Sequence, residues 1–226
     1  MNGFSDWLAA LAPGRSVLQL GGLGNPDLEH IPAALAAGAR HAMHMEPVPR
    51  RAAQWAPLRA ACAPFGERFS TITQDPLDGH ALLRRLPRFD IVHCGQLFHE
   101  RDPYLLLERL SGHATQYLAV ASVRIPLDPD GLADGDAVPG YRPADPRLPA
   151  VRRALEARGV TLGQFQRQPD AVMEHGISNW EGMWNWFHTE TALRRLVEHF
   201  GWRITHAFPS WGELGITLVA ERPPNP

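Results

Sequence analysis

The 226-residue chain has little of several things that would settle its class at once. Only two cysteines occur, Cys62 and Cys94, too few and too far apart for a disulfide framework or a zinc site. Basic charge is not in excess: 22 Lys plus Arg stand against 24 Asp plus Glu, a formal net charge of -2, so a phosphate backbone finds no counter-charge and a nucleic-acid partner is disfavoured. No apolar run approaches the roughly 18 residues that a membrane span requires. The first residues carry no basic, apolar, small-residue signal pattern, so cytoplasmic residence without a membrane partner is expected. Internal repeats and low-complexity tracts are missing too. What is present is ordinary globular composition, 44% hydrophobic and 20% charged, at a length where one α/β domain with an insertion is commoner than two domains.

Along the chain, helical and extended patterns alternate. Asp6 to Ala12 has helical spacing, Pro13-Gly14 ends it, and Ser16 to Leu20 is an apolar strand running into glycines. Helical spacing over Pro26 to Ala37 is stopped by Gly38, and Ala39 to Met45 is a second strand ending at Glu46. A helix over Ala52 to Ala63, a strand at Phe69 to Thr73 and a helix at Gly79 to Leu86 follow. Then come a buried strand at Phe89 to Cys94, a helix at Tyr104 to Leu110 and a strand at Tyr117 to Val123. This alternation predicts a parallel, doubly wound sheet, because parallel strands need helical crossovers. From Ile125 to about Pro149 the composition turns to Pro, Asp and Gly, and Leu148 to Arg158 offers one amphipathic helix. Residues 125–185 therefore form an insertion within a single domain spanning 1–226. Thr189 caps a helix over Glu190 to Phe200 that Gly201 stops, and strands at Arg203 to Phe208 and Gly215 to Glu221 close the chain.

Three features point to a nucleotide-like ligand. The loop Gly21-Gly22-Leu23-Gly24-Asn25 lies between the first strand and a helix, where small residues let the backbone approach a ligand. It does not match G-x-G-x-x-G, and a tight turn without a ligand is its plain alternative. Glu46, at the end of the second strand, could accept hydrogen bonds from both hydroxyls of a ribose, or be an exposed loop acid. Asp75, after the third strand, could accept from an adenine amino group, or merely open a turn before Pro76.

Together with Phe89-Asp90-Ile91-Val92-His93-Cys94-Gly95-Gln96-Leu97-Phe98-His99-Glu100-Arg101-Asp102-Pro103, these positions make the chain resemble a class I S-adenosylmethionine-dependent methyltransferase. Phe-Asp-x-Val, an aromatic-His pair, an Asp-Pro and a leucine-rich helix are the shared pattern. The resemblance covers most of residues 14–123 and returns at 186–221. Within the family the fourth-strand stretch is most similar to the branch related to tRNA wobble-uridine modification and to small-molecule O- and N-methyltransferases. It implies a Rossmann-like, mostly parallel seven-stranded sheet with a C-terminal antiparallel hairpin. It also implies S-adenosylmethionine as cofactor, held by Gly21, Gly22, Gly24, Glu46, Asp75 and Gly95. The chain departs from the family at Gln19, where an acid is usual, and at Leu23 and Asn25, where glycines are usual.

For the chemistry, His99 lies just past the fourth strand, where open α/β sheets place their ligands, and is the candidate base; ordering the turn is its alternative role. His93 is mid-strand and reads as buried structure. Trp180, Met183, Trp184, Trp186 and Phe187 form an aromatic stretch that reads as core by spacing, or as an acceptor wall roofed by the insertion. Trp184, Trp186 and His188 are the substrate-binding candidates, with packing at the helix start as the alternative for His188. His41 and His44 fall on opposite faces of a strand, so they make no metal pair, and no metal is expected. Ser122 lacks a nucleophile-elbow context. Scattered arginines such as Arg50, Arg51, Arg84, Arg85, Arg152 and Arg153 read as a solvated face.

The leading reading is methyl transfer to an oxygen or nitrogen of a small-molecule metabolite. A tRNA-modifying methyltransferase, a non-catalytic methyltransferase-like binding protein and, more distantly, an NAD-dependent oxidoreductase are the alternatives. A homodimer is compatible with all of them.

Overall fold

The computed structural model describes residues 3–23, 29–77, 86–127, 131–140, 142, 144–160, 185–210 and 214–224. Among these residues nine strands form where β-branched and apolar residues run between glycine, proline or polar stops. They are β1 (Ser16–Leu20), β2 (His41–Met45), β3 (Phe69–Ile72), β4 (Phe89–Cys94), β5 (Ala114–Val123), β6 (Ala137–Pro139), β7 (Trp186–His188), β8 (Arg203–Ser210) and β9 (Gly215–Glu221). Seven make one sheet in the order β3-β2-β1-β4-β5-β9-β8, and β6 pairs with β7 alone. Strands β1 to β5 are parallel, while β9 runs antiparallel to β5 and to β8. The order reverses between β1 and β4, and the crevice at the carboxyl ends of these strands is where open α/β sheets take ligands.

Alternation along the strands separates two apolar layers. Val17, Ala42, Ile91 and Ala119 face α1 (Phe4–Leu11), α2 (Ile31–Ala36) and α3 (Trp55–Cys62), where Trp7, Leu8, Leu35, Trp55 and Leu58 are buried. Leu18, Val92, Leu118 and Leu218 face the opposite side, against Leu106 and Leu110 of α4 (Pro103–His113) and Leu193 and Val197 of α6 (Glu190–His199). Helix α4 starts where Asp102 accepts a hydrogen bond from Leu105 N at 2.9 Å with Pro103 at its first position, and α6 starts where Thr189 accepts from Ala192 N at 3.3 Å. A third cluster, with Phe98, Val123, Val138, Val151, Leu155 and Phe187, joins α5 (Leu148–Glu156) and the β6–β7 pair to the end of β5.

The seven sheet strands and the closing hairpin stand where the alternation places them. Strand β5 begins at Ala114, earlier than the expected Tyr117, because Thr115 is tied to β4: its Oγ1 donates to Phe89 O at 3.2 Å. Helix α2 begins at Ile31, later than Pro26, with Pro32 in its first turn. The helix expected at 79–86 falls almost wholly outside the described residues. Unforeseen by pattern was the β6–β7 pair, which turns the end of the aromatic stretch into a strand.

Asp90 anchors the amino end of the sheet. Its carboxylate accepts from Ser16 N at 2.8 Å, Ser16 Oγ at 2.9 Å and Thr115 Oγ1 at 3.3 Å, and pairs with Arg40 at 3.0 Å. Partial burial alone would raise its pKa, but the Ser16 bonds, Arg40 and Thr115 together outweigh it and hold the carboxyl below its ordinary 3.8. A folded-state pKa below the unfolded one gives stability that is complete above 3.8 and lost as pH falls through the lower folded value. Asp90→Asn should therefore cost about 1 kcal/mol at pH 7. In urea denaturation its curve should converge on the parent's as pH drops below 3.8; an unchanged gap there would refute the carboxylate's role.

Candidate functional site

The carboxyl ends of β1 to β4 carry the residues that the sequence singled out for a cofactor. Gly21 and Gly22 have φ of 75° and 90°, a region costing other residues about 1–2 kcal/mol, so both are glycine for backbone reasons. Leu23 meanwhile packs against the α1–α3 layer. Gly21 N donates to Met45 O at 3.1 Å and Gly95 N donates to Leu20 O at 2.7 Å, drawing the ends of β2, β1 and β4 together. A β-carbon at Gly95 would sit 3.2 Å from both Leu20 O and Gly21 O, so the close approach of β4 to the glycine loop requires glycine there. Gly24 lies outside the described residues.

Glu46, directly after β2, is buried at 5% exposure, not the exposed loop acid that was its alternative. Its backbone N donates to Ile72 O at 3.0 Å. Oε2 of its carboxylate has no hydrogen-bond partner among the described residues, and the nearest cation-capable group, His44 Nε2, stands 3.5 Å away. A buried acceptor without a donor is costly, and is the kind of atom a ligand hydroxyl satisfies. Asp75, by contrast, makes its turn: Oδ1 accepts from Leu77 N at 2.6 Å.

Gln19 was legible only as a departure, yet it does work that an acid could not do. Its Nε2 donates to Gly21 O at 3.0 Å and its Oε1 accepts from His30 N, the residue before α2, also at 3.0 Å. One amide thus ties the glycine loop to the start of the next helix. Carboxylate at this position keeps the second bond and turns the first into a clash of two acceptors. We expect Gln19→Glu to cost about 2 kcal/mol at pH 7, with thermal stability recovering toward pH 5, where a protonated carboxyl can donate again. Equal melting of variant and parent at pH 7 would sink this account.

Gln19 also belongs to a buried polar row. It is in register with His44 on β2 and His93 on β4, one pleat below Gly21, Glu46 and Gly95. Burial, then neighbouring His30 and His44, hold His93 well below the usual histidine range, so it is neutral and structural, packed on Phe4 at 4.6 Å between ring centroids. His99 ends a short 3-10 turn (Leu97–His99), half-buried, with its ring centroid 3.9 Å from that of Phe98.

From this turn the chain continues into a second feature. A cavity of about 610 Å³ opens between the first turn of α4, one face of α6 and the β6–β7 pair. Arg101 and Asp102, just before α4, and Tyr104 in its first turn line one side; Ala192, Arg195, Leu196 and His199 line it from α6, at the i, i+3, i+4, i+7 spacing of one helical face; Ala137, Arg142, Trp186 and His188 are among the residues of the remaining wall. The connection 95–102 thus runs from the glycine end of the site to the cavity wall. Trp186 and His188, singled out from sequence, both reach this wall, whereas Trp184 lies outside the described residues. His188 is buried, which lowers its pKa to about 4, and its Nδ1 is 3.3 Å from Ser122 Oγ, so at neutral pH it is an uncharged hydrogen-bonding group. The three arginines were missed, though the helical spacing of 192, 195, 196 and 199 was available to find Arg195.

Among the described residues no group of three or more His, Cys, Asp or Glu side chains is set to hold a metal ion, and no helix is long and apolar enough to cross a membrane. No family model matches the chain, and no curated protein matches its sequence. Solved structures do match. Magnesium protoporphyrin IX methyltransferase from Synechocystis PCC 6803, with bound S-adenosylhomocysteine, superposes at a TM-score of 0.57 and 18% identity, covering 96% of this chain and 80% of that one. The 1,6-didemethyltoxoflavin-N1-methyltransferase of Burkholderia thailandensis gives 0.56 and 15%, covering 96% and 76%. An O-methyltransferase family protein from the same organism gives 0.55 and 15%, covering 96% and 55%. At these identities the likeness is one of architecture, and it agrees with the strand order and the antiparallel closing hairpin: the chain has the Rossmann-like fold of the class I S-adenosylmethionine-dependent methyltransferases.

Proposed function

We propose that this protein binds S-adenosylmethionine across the carboxyl ends of β1, β2 and β4 and transfers its methyl group to an oxygen or nitrogen of a small-molecule acceptor. The observation that carries the reading is the buried carboxylate of Glu46, with Oε2 lacking a donor among the described residues, beside a loop held open by Gly21, Gly22 and Gly95. Such a group fits a ribose diol, and the fold's structural neighbours include proteins solved with S-adenosylmethionine or S-adenosylhomocysteine. In this reading Glu46 orients the ribose, the glycine loop admits the amino-acid end of the cofactor, and Asp75 and its turn border the adenine.

The bound cofactor would supply a methyl group on a sulfonium; the acceptor's new C–O or C–N bond forms as the C–S bond breaks. The chain's contribution is placement and exclusion of water. Trp186 offers a flat wall and His188 a neutral hydrogen-bonding edge. His99, between the glycine end and the cavity, takes the acceptor's proton. The segment 125–185 supplies part of the cavity wall and serves as the acceptor-binding insertion of a single domain.

Isothermal titration with S-adenosylmethionine, S-adenosylhomocysteine and NAD tests the reading. Binding of the two adenosyl-sulfur ligands without NAD is the expected result. Binding of NAD alone would move the site to hydride chemistry, and binding of none, in folded protein, would overturn the cofactor assignment.

A further inference from the structure

His188 is buried, yet its ring lines the cavity. Its backbone pairs with Ala137 of β6, and Ile125 N donates to its carbonyl oxygen at 2.9 Å, so the residue is held from both sides against the end of β5. There Nδ1 lies 3.3 Å from Oγ of Ser122, a serine with no exposed surface. The Ser122 hydroxyl meets no other hydrogen-bond partner among the described residues. Two arrangements of the protons are open to this pair. If Nδ1–H donates to Oγ, the serine's own O–H is sealed in the core without an acceptor. If Ser122 donates to Nδ1, the imidazole proton sits on Nε2 and both atoms of the pair are satisfied. A buried O–H without an acceptor is costly, which favours the second arrangement. A neutral imidazole carries one N–H, so the bond made by one nitrogen decides what the other offers. Nε2 has no hydrogen-bond partner among the described residues and is not sealed in the core, so it opens on the cavity that the ring lines. Trp186, two residues earlier on β7, sets its ring beside it, 6.3 Å between centroids and 21° between planes.

We propose that Ser122 fixes His188 as its Nε2–H tautomer, and that this N–H anchors a planar acceptor in the cavity by donating to its carbonyl oxygen while the ring lies beside Trp186. Ser122 is thus a positioning residue that acts through His188, a role its sequence context does not reveal. A fixed donor selects by what it leaves unpaired: a ligand that presents an N–H or only carbon at that point gives the Nε2 proton no acceptor. Burial holds the His188 pKa at about 4, so at neutral pH the ring carries no charge and takes up no proton. It orients the acceptor, and the acceptor's proton is left to His99. The inference rests on the reading of this cavity as the acceptor site, and it narrows that acceptor to planar compounds bearing a carbonyl.

Proton–nitrogen correlation NMR on the full chain, labelled with nitrogen-15 histidine, reads the tautomer directly. His188→Gln, by removing one set of signals, picks out His188 among the chain's 11 histidines. At neutral pH the parent should carry the His188 proton on Nε2 alone, and Ser122→Ala should mix the two tautomers. Binding of acetophenone and of ethylbenzene, alike but for the carbonyl oxygen, is then followed by NMR titration with and without S-adenosylhomocysteine. Acetophenone should bind the parent about tenfold more tightly. This preference should shrink in Ser122→Ala and vanish in His188→Phe, which keeps a ring in that place. A parent with the His188 proton on Nδ1, a tautomer indifferent to Ser122→Ala, or the lack of any preference for acetophenone would overturn the proposal. The parent's spectrum and its two titrations need no variant, so a substitution that folds poorly does not remove the test. The outcomes also separate the two claims. The Nε2–H tautomer and carbonyl preference in a protein that binds no adenosyl ligand uphold the cavity's chemistry and remove methyl transfer, whereas adenosyl binding with the opposite tautomer does the reverse.

Discussion

Replacing Glu46 by glutamine should weaken binding of S-adenosylmethionine about ten- to a hundredfold and leave the unliganded protein at least as stable. The affinity loss follows from the chemistry of a carboxylate facing a diol: hydrogen bonds to a charged acceptor contribute about 1.5–3 kcal/mol, and tenfold in affinity is about 1.4 kcal/mol. Glutamine keeps one acceptor and the volume but loses the charge. The stability argument runs the other way. Glu46 is 5% exposed, and its Oε2 has no donor among the described residues, so the unliganded fold buries a carboxylate whose one cation-capable neighbour among them is His44, 3.5 Å away. Removing a charge that is buried without full compensation does not destabilise. Calorimetry with thermal unfolding on the same preparations checks both halves. Lower melting temperature with unchanged affinity would make Glu46 a structural partner of His44 and leave the cofactor without its anchor.

Much of this end of the molecule could be read from sequence because its constraints are local. Strand β1 is Ser16 and four apolar or amide residues followed by two glycines, and the positive φ of Gly21 and Gly22 is the physical reason that pattern marks a turn. Strand β2 ends on Met45 directly before Glu46, and β4 on Cys94 directly before Gly95, so each candidate position follows the last apolar side chain at once. What failed to show was non-local. Gln19 looked like a loss of the family's acid, since nothing in its neighbours reveals that its amide spans from Gly21 O to His30 N. Strand β6 is three residues ending in Pro139, and its partner β7 lies some fifty positions along the chain, so both read as irregular. Arginines of the cavity come from the turn before α4, from α6 and from the segment between β6 and α5, and only the folded chain brings them to one cavity.

Of the aromatic stretch before α6 only its end lies among the described residues, and there adjacent rings face different ways. On β7, Trp186 and His188 reach the cavity, while Phe187 points to the other side and is fully buried with Val123, Val138, Val151 and Leu155. Phe187 is packed so tightly that a β-carbon at Gly140 would lie 2.5 Å from its Cε2, which leaves that site to glycine. Phe187→Ala should therefore cost about 3–5 kcal/mol, the usual effect of emptying a buried aromatic site. Urea denaturation would read it as a lower midpoint, or as an earlier separate transition if the β6–β7 and α5 cluster opens before the sheet. Trp186→Ala, which removes a half-buried ring from the cavity side, should cost under about 1 kcal/mol and act instead on binding of the proposed acceptor. Were the two variants to destabilise equally, both rings would be core and the cavity would lose its aromatic wall. Were Phe187→Ala nearly neutral, the third cluster would not be what holds β7 in place, and the position of Trp186 on the cavity wall would need another support.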